Sequence, residues 1–141
     1  MEEGKQEFNW PPLESNPEVF TEYMHKMGMP QEWMIGECFG LDPDCLGFVP
    51  KPTVAMIANC ERLKKTDDKE KGSMDNKAEF YMKQTSVLDN ACGVIACLHS
   101  IFNNQDSVKV QADSIMAKYF AKSKDQTPED RATSLENYSD F

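Results

Sequence analysis

The chain has 141 residues, with 15 Lys and Arg against 24 Asp and Glu and a formal net charge of −9. That length suffices for one packed core, and the acidic balance argues against nucleic acid, whose partners carry a basic face. No apolar run approaches the roughly 20 residues of a membrane span, and the acidic, polar opening has no secretory h-region, so a cytoplasmic protein without membrane contact is expected.

The first predicted element is a helix. Asn16 suits the N-cap, Pro17 the first helical position and Glu18 the first turn. Val19, Phe20, Tyr23, Met24 and Met27 then recur at helical spacing, and Gly28 stops the run. Trp33 to Phe39 reads as a short strand closed by Gly40, and Asp42-Pro43-Asp44 starts a single helical turn. Thr53 to Asn59 is a β-leaning run, predicted to be buried on both faces. From Glu61 to Ala78 charges of both signs dominate, broken by Gly72-Ser73, which predicts a solvated, mobile loop within one domain spanning 1–141.

Glu79 to Gln84 reads as a third strand, followed by a short polar loop. Asn90-Ala91-Cys92-Gly93 then opens an amphipathic helix with Ala91, Val94, Ile95, Leu98 and Phe102 on its inner face. This layout puts a thiol at a helix N-terminus, where the helix dipole favours thiolates in general, with the Gln84 amide a few residues upstream. A side-chain N–H near a nucleophilic sulfur can donate to the oxyanion of a tetrahedral intermediate. The plain alternative is that Cys92 is one more small buried hydrophobe. Ile115, Tyr119 and Phe120 mark a further helix, and Thr127-Pro128-Glu129-Asp130 starts the last. Five cysteines without framework spacing read as reduced thiols, and no Cys/His pair has zinc-ligand spacing, so neither a metal nor another cofactor is expected.

The wording Lys83-Gln84-Thr85, Asn90-Ala91-Cys92-Gly93, Leu98-His99-Ser100 and Asn103-Asn104-Gln105-Asp106 resembles the ubiquitin carboxyl-terminal hydrolase (UCH) family of papain-like cysteine proteases. Trp10, the run Leu13-Glu14-Ser15-Asn16-Pro17-Glu18-Val19, Gly40-Leu41-Asp42-Pro43 and Thr127-Pro128-Glu129-Asp130-Arg131-Ala132 extend the resemblance, in the family's order, over nearly the whole chain. The resemblance implies an α+β fold with helices flanking a central antiparallel sheet, truncated here so that the C-terminal strands are missing. It implies hydrolysis of small adducts at the C-terminal glycine of ubiquitin, or of a ubiquitin-like protein, with Cys92 as nucleophile and Gln84 as oxyanion donor. The loop from Ser86 to Asp89 is longer than the family's pattern. It either still presents the Gln84 amide or swings it away, leaving the Cys92 backbone N–H, and losing one donor costs roughly 100- to 1,000-fold in rate.

Substrate contacts carry over to Trp10, Pro12 and Leu13, with the alternative that these side chains fold back on the core. The family's general-base histidine and its aspartate lie beyond Phe141. Neither His25 nor His99 matches them, and His99 sits about 10 Å along the helix from Cys92 at 1.5 Å per residue. The chain thus reads as a fragment of a hydrolase, as one of two pieces that a separate C-terminal half would complete, or as a shortened ubiquitin-binding pseudoenzyme. An unpaired sheet edge and a partly uncovered catalytic helix would leave it marginally stable.

Overall fold

The computed structural model describes residues 10–60 and 78–141, so the loop expected over 61–78 lies, apart from Ala78, outside the described residues. The five helices follow from local capping. α1 (Pro17–Met27) starts where the Asn16 side chain accepts from the Glu18 N–H at 2.9 Å. α2 (Pro43–Gly47) starts on Asp42, α4 (Ile115–Ser123) on Ser114 and α5 (Pro128–Glu136) on Thr127, each accepting from a backbone N–H three residues on. α3 (Cys92–Phe102) differs, because its N-cap is Ala91, which has no side chain to do this.

α1 ends at Gly28, whose φ of 125° suits a residue without Cβ. A Cβ there would also meet the Ser114 Oγ at 2.2 Å. The Gly28 carbonyl accepts from the Gln111 N–H at 2.8 Å, so the end of α1 is fastened to the loop that starts α4.

α3 is the central element. Val94, Ile95, Cys97, Leu98, Ile101 and Phe102 are all buried, and α1 contributes Phe20, Met24 and Met27, α4 Met116 and Tyr119, and α5 Ala132 and Leu135 to the same core. The rings of Phe80 and Phe102 meet edge-on with centroids 4.8 Å apart, and Tyr119 meets Tyr138 and Phe141 in the same way. The expectation of a partly uncovered catalytic helix is therefore corrected: its inner face is enclosed.

The expected central antiparallel sheet is also corrected, since no strand occurs among the described residues and the fold seen there is helical with extended connections. A strand exists only where its backbone pairs with a neighbour, and these extended segments pair with side chains and helix ends instead. The Ile35 N–H donates to Thr21 Oγ1 of α1. Residues 53–59, expected to be buried on both faces, are mostly exposed, Met56 and Ile57 included. Together with Met34, Phe39 and Phe48, the last two more than three-quarters exposed, they leave an uncovered apolar surface.

Residues 79–84 show the substitution for a ladder most fully. The Asn103 side chain, just past the end of α3, accepts from the Phe80 N–H and donates to the Phe80 carbonyl, both at 2.8 Å. The Met82 N–H donates to His99 Nε2, while on the other edge the Lys83 N–H donates to the Pro128 carbonyl. Arg131 of α5 completes that second edge. Its Nη1 donates to the Tyr81 carbonyl, and Nε and Nη2 donate to the carbonyls of Ser123 and Lys124 at the end of α4. Its guanidinium lies 4.4 Å from the Phe80 ring centroid. The residue is only 7% exposed, and three carbonyls in place of a carboxylate offset its desolvation.

Arg131→Ala is expected to lower the free energy of urea unfolding by about 2–4 kcal/mol, because it removes charge-assisted bonds and strands three carbonyls. Arg131→Lys should recover less than half, since one ammonium does not span acceptors arranged for a fork. A loss below about 0.5 kcal/mol for Arg131→Ala would show that the staple is dispensable.

Candidate functional site

The approach to Cys92 is a pair of successive turns. The Leu88 N–H donates to the Thr85 carbonyl at 3.1 Å and the Ala91 N–H to the Leu88 carbonyl at 2.9 Å. Leu88 and Ala91 are fully buried and anchor this loop to the core, whereas Ser86, Val87 and Asp89 face solvent. The Thr85 hydroxyl donates to the Glu136 carboxylate and Lys83 pairs with Glu129, so the start of the loop is moored on α5. Both members of the Lys83–Glu129 pair are solvent-exposed, and it orients more than it stabilises.

Cys92 occupies the first position of α3 and its side chain is exposed, while Cys97 on the same helix is buried. Burial pushes the Cys97 thiol up to about 12, which leaves it protonated and inert. The first intrahelical bond runs from the Ile95 N–H to the Ala91 carbonyl. The N–H groups of Cys92, Gly93 and Val94 therefore have no acceptor within the helix, and they lie at the same end as the sulfur. A thiol beside such donors is suited to attack a carbonyl whose oxygen becomes anionic. All five cysteines are free thiols, and no group of three or more potential metal ligands occurs among the described residues.

Gln84, expected near the sulfur as an oxyanion donor, points its amide into the loop. Nε2 donates to the carbonyls of Leu88 at 3.1 Å and Asp89 at 2.8 Å. Trp10, Pro12 and Leu13, expected as substrate contacts, part company. Trp10 is 4% exposed inside the core, Pro12 is exposed and Leu13 is half-buried. A Cβ on Gly93 would sit 3.1 Å from Leu13 Cβ and 3.3 Å from the tip of Phe20, so the missing side chain lets the N-terminal segment lie against the turn that bears Cys92. Trp10, Pro12 and Leu13 also line, with Tyr23, Val94 and Phe141, an apolar cavity of about 200 Å³.

Both histidines are committed elsewhere. His25 Nε2 donates to the Trp33 carbonyl at 2.8 Å, tying α1 to the segment after it. His99 Nε2 accepts from the Met82 N–H, which requires a lone pair there and places the neutral ring's proton on Nδ1. The ring stacks on Tyr81, and burial, aided by the nearby Arg131 charge, holds its pKa below the ordinary 6.5.

Arg131 and Asn103 are the residues that sequence reasoning passed over. An arginine in a charged helix reads as solvated, and the one local signal was its i, i+4 relation to the buried Leu135.

Residues 10–141 match the family described as ubiquitin carboxyl-terminal hydrolase, family 1. The chain is 36% identical over 133 residues to a ubiquitin carboxyl-terminal hydrolase of Aplysia californica, covering 92% of this chain and 61% of that protein. It is 37% identical to ubiquitin carboxyl-terminal hydrolase 3 of Arabidopsis thaliana, covering 92% and 58%, and 32% identical to a ubiquitin carboxyl-terminal hydrolase of Drosophila melanogaster, covering 94% and 60%. The chain thus spans about six-tenths of the length of these curated relatives.

The neutral His99 acceptor gives a pH dependence with a defined sign. A histidine whose folded pKa is depressed contributes stability that is present above the unfolded value near 6.5 and is lost as pH falls through the folded value. The imidazole should titrate below 6.5 by NMR, and the stability difference between the wild type and His99→Phe should shrink on acidification below that pH. A difference that grows on acidification would contradict the neutral-acceptor role.

Proposed function

Because the chain belongs to ubiquitin carboxyl-terminal hydrolase family 1, we propose that its Cys92 is the nucleophile of a thiol hydrolase acting at the C-terminal glycine of ubiquitin. The observation that carries this reading is the placement of an exposed thiol at the first position of α3, the only helix among the described residues whose N-terminal amides lack a side-chain cap. Thiolate attack forms a bond to the glycine carbonyl carbon, and the carbonyl electrons move to an oxygen that the Cys92 and Gly93 N–H groups stabilise. Collapse expels the leaving group, which takes a proton from a general acid, and water then hydrolyses the thioester. In this reading Gln84 would add a third donor, and the exposed Pro12 and half-buried Leu13 beside Gly93 offer contact to the incoming tail.

Neither histidine of the chain is in position to serve as the base, His25 and His99 being held by Trp33 and Met82. The base would come from a C-terminal half, continuous with these residues or separate from them, and the exposed Met34, Phe39, Phe48 and Met56 offer it an apolar surface. The same commitment of both histidines supports a second reading, in which the chain binds ubiquitin without cleaving it. The formal charge of −9 suits a basic partner face under either reading. The proposed setting is cytoplasmic; among the described residues no helix is long and apolar enough to cross a membrane.

Release of a fluorophore from the ubiquitin C-terminus is expected to depend on Cys92 and to vanish in Cys92→Ala. Binding of ubiquitin by the folded chain without any turnover would instead make these residues a binding fragment or a pseudoenzyme. Turnover that survives in Cys92→Ala would remove Cys92 from the mechanism.

A further inference from the structure

Resting on the reading of Cys92 as nucleophile, we propose that the Thr85–Asp89 loop is a latch that holds the Gln84 amide away from the reaction, and that hydrolysis proceeds only when the amide leaves it. Two backbone carbonyls, of Leu88 and Asp89, lie 3.1 and 2.8 Å from the terminal atom of the Gln84 side chain. Carbonyl oxygens accept and never donate, so that atom is the amide nitrogen and not the oxygen. A carboxamide has two N–H donors. Both are used by the loop, and none remains for an oxyanion.

The latch is built into a fixed frame. Leu88 and Ala91 are fully buried, the Leu88 and Ala91 N–H groups close successive turns, and Thr85 is held by Glu136 on α5. The carbonyls of Leu88 and Asp89 therefore stay where the Gln84 amide finds them. The tip formed by Ser86 and Val87 is exposed and contributes nothing to the core.

The latch can nevertheless open. Gln84 and Asp89 are exposed, so water can take over the released carbonyl. A neutral carbonyl is also the weaker acceptor: a hydrogen bond to a charged oxygen is roughly twice as strong. Charge developing on the substrate oxygen therefore competes for the amide only at the transition state. The loop then lowers kcat and leaves KM unchanged. Each net hydrogen bond surrendered corresponds to about 2.3- to 10-fold, so two hold the rate down by about 5- to 100-fold.

The test uses the full chain and a variant lacking Ser86 and Val87, which shortens the loop without removing its buried anchors. Side-chain amide exchange by NMR should show the Gln84 carboxamide protected at least about tenfold relative to that of the exposed Gln111 in the native chain, and unprotected in the shortened one. Ubiquitin–fluorophore hydrolysis by the shortened chain should show kcat raised by about 5- to 100-fold at constant KM.

Gln84 exchanging as freely as Gln111 in the native chain would overturn the latch, whatever becomes of the variant. Release of the amide without a rise in kcat would overturn it too. Absence of Cys92-dependent turnover in both chains would favour the reading in which these residues bind ubiquitin without a base of their own, and the exchange comparison would still decide whether the loop holds the amide.

Discussion

A buried guanidinium without a carboxylate organises this molecule. Arg131 reaches from α5 to the carbonyls that α4 leaves open at its C-terminus and to the Tyr81 carbonyl of the extended segment that leads into the loop before Cys92. The end of a helix carries partial negative charge on carbonyls lacking an intrahelical donor, so a cation placed there gains from the dipole as well as from the bonds. Phe80 beneath the guanidinium supplies the remaining compensation. Three elements meet on one side chain, and the position of residues 80–82 is set by it.

From that fixed point the rest of the approach to Cys92 follows. His99, on the last turn of α3, and Asn103, just past its end, take the opposite edge of the same segment. The helix that carries the thiol therefore holds the segment that precedes it, through side chains doing what a neighbouring strand would do in a sheet. A ladder repeats one bond geometry along its length, whereas these clamps are each different. That explains how residues 79–84 stay extended and ordered without any strand among the described residues. It also accounts for His99, whose neutral ring is needed as an acceptor and is thereby unsuited to act as base for a thiol near the other end of the helix.

The site itself divides into a settled part and an adjustable part. Cys92, the uncapped amides of the first turn of α3, and Gly93 closed over by Leu13 all belong to the helix and its packing. Gln84 belongs to the loop, where its amide serves two backbone carbonyls. The helix presents the sulfur, while the loop holds the Gln84 amide.

What could be read from the amino-acid sequence was whatever depends on neighbours in the chain. The caps at Asn16, Asp42 and Thr127 bond to amides two or three residues away, so those helix starts are legible from residue types alone. The same holds for the stop at Gly28 and for the thiol at the head of α3. Tertiary structure decided whatever depends on distant partners. Arg131 finds Tyr81 across 50 residues and Thr85 finds Glu136 across 51, and no local pattern names the partner of either. The three apolar stretches read as strands have the composition of strands, but pairing is a property of two segments and not of one. Burial of Trp10 and the inward turn of the Gln84 amide are of the same kind, because a side chain's environment is made by residues that its own neighbourhood does not contain.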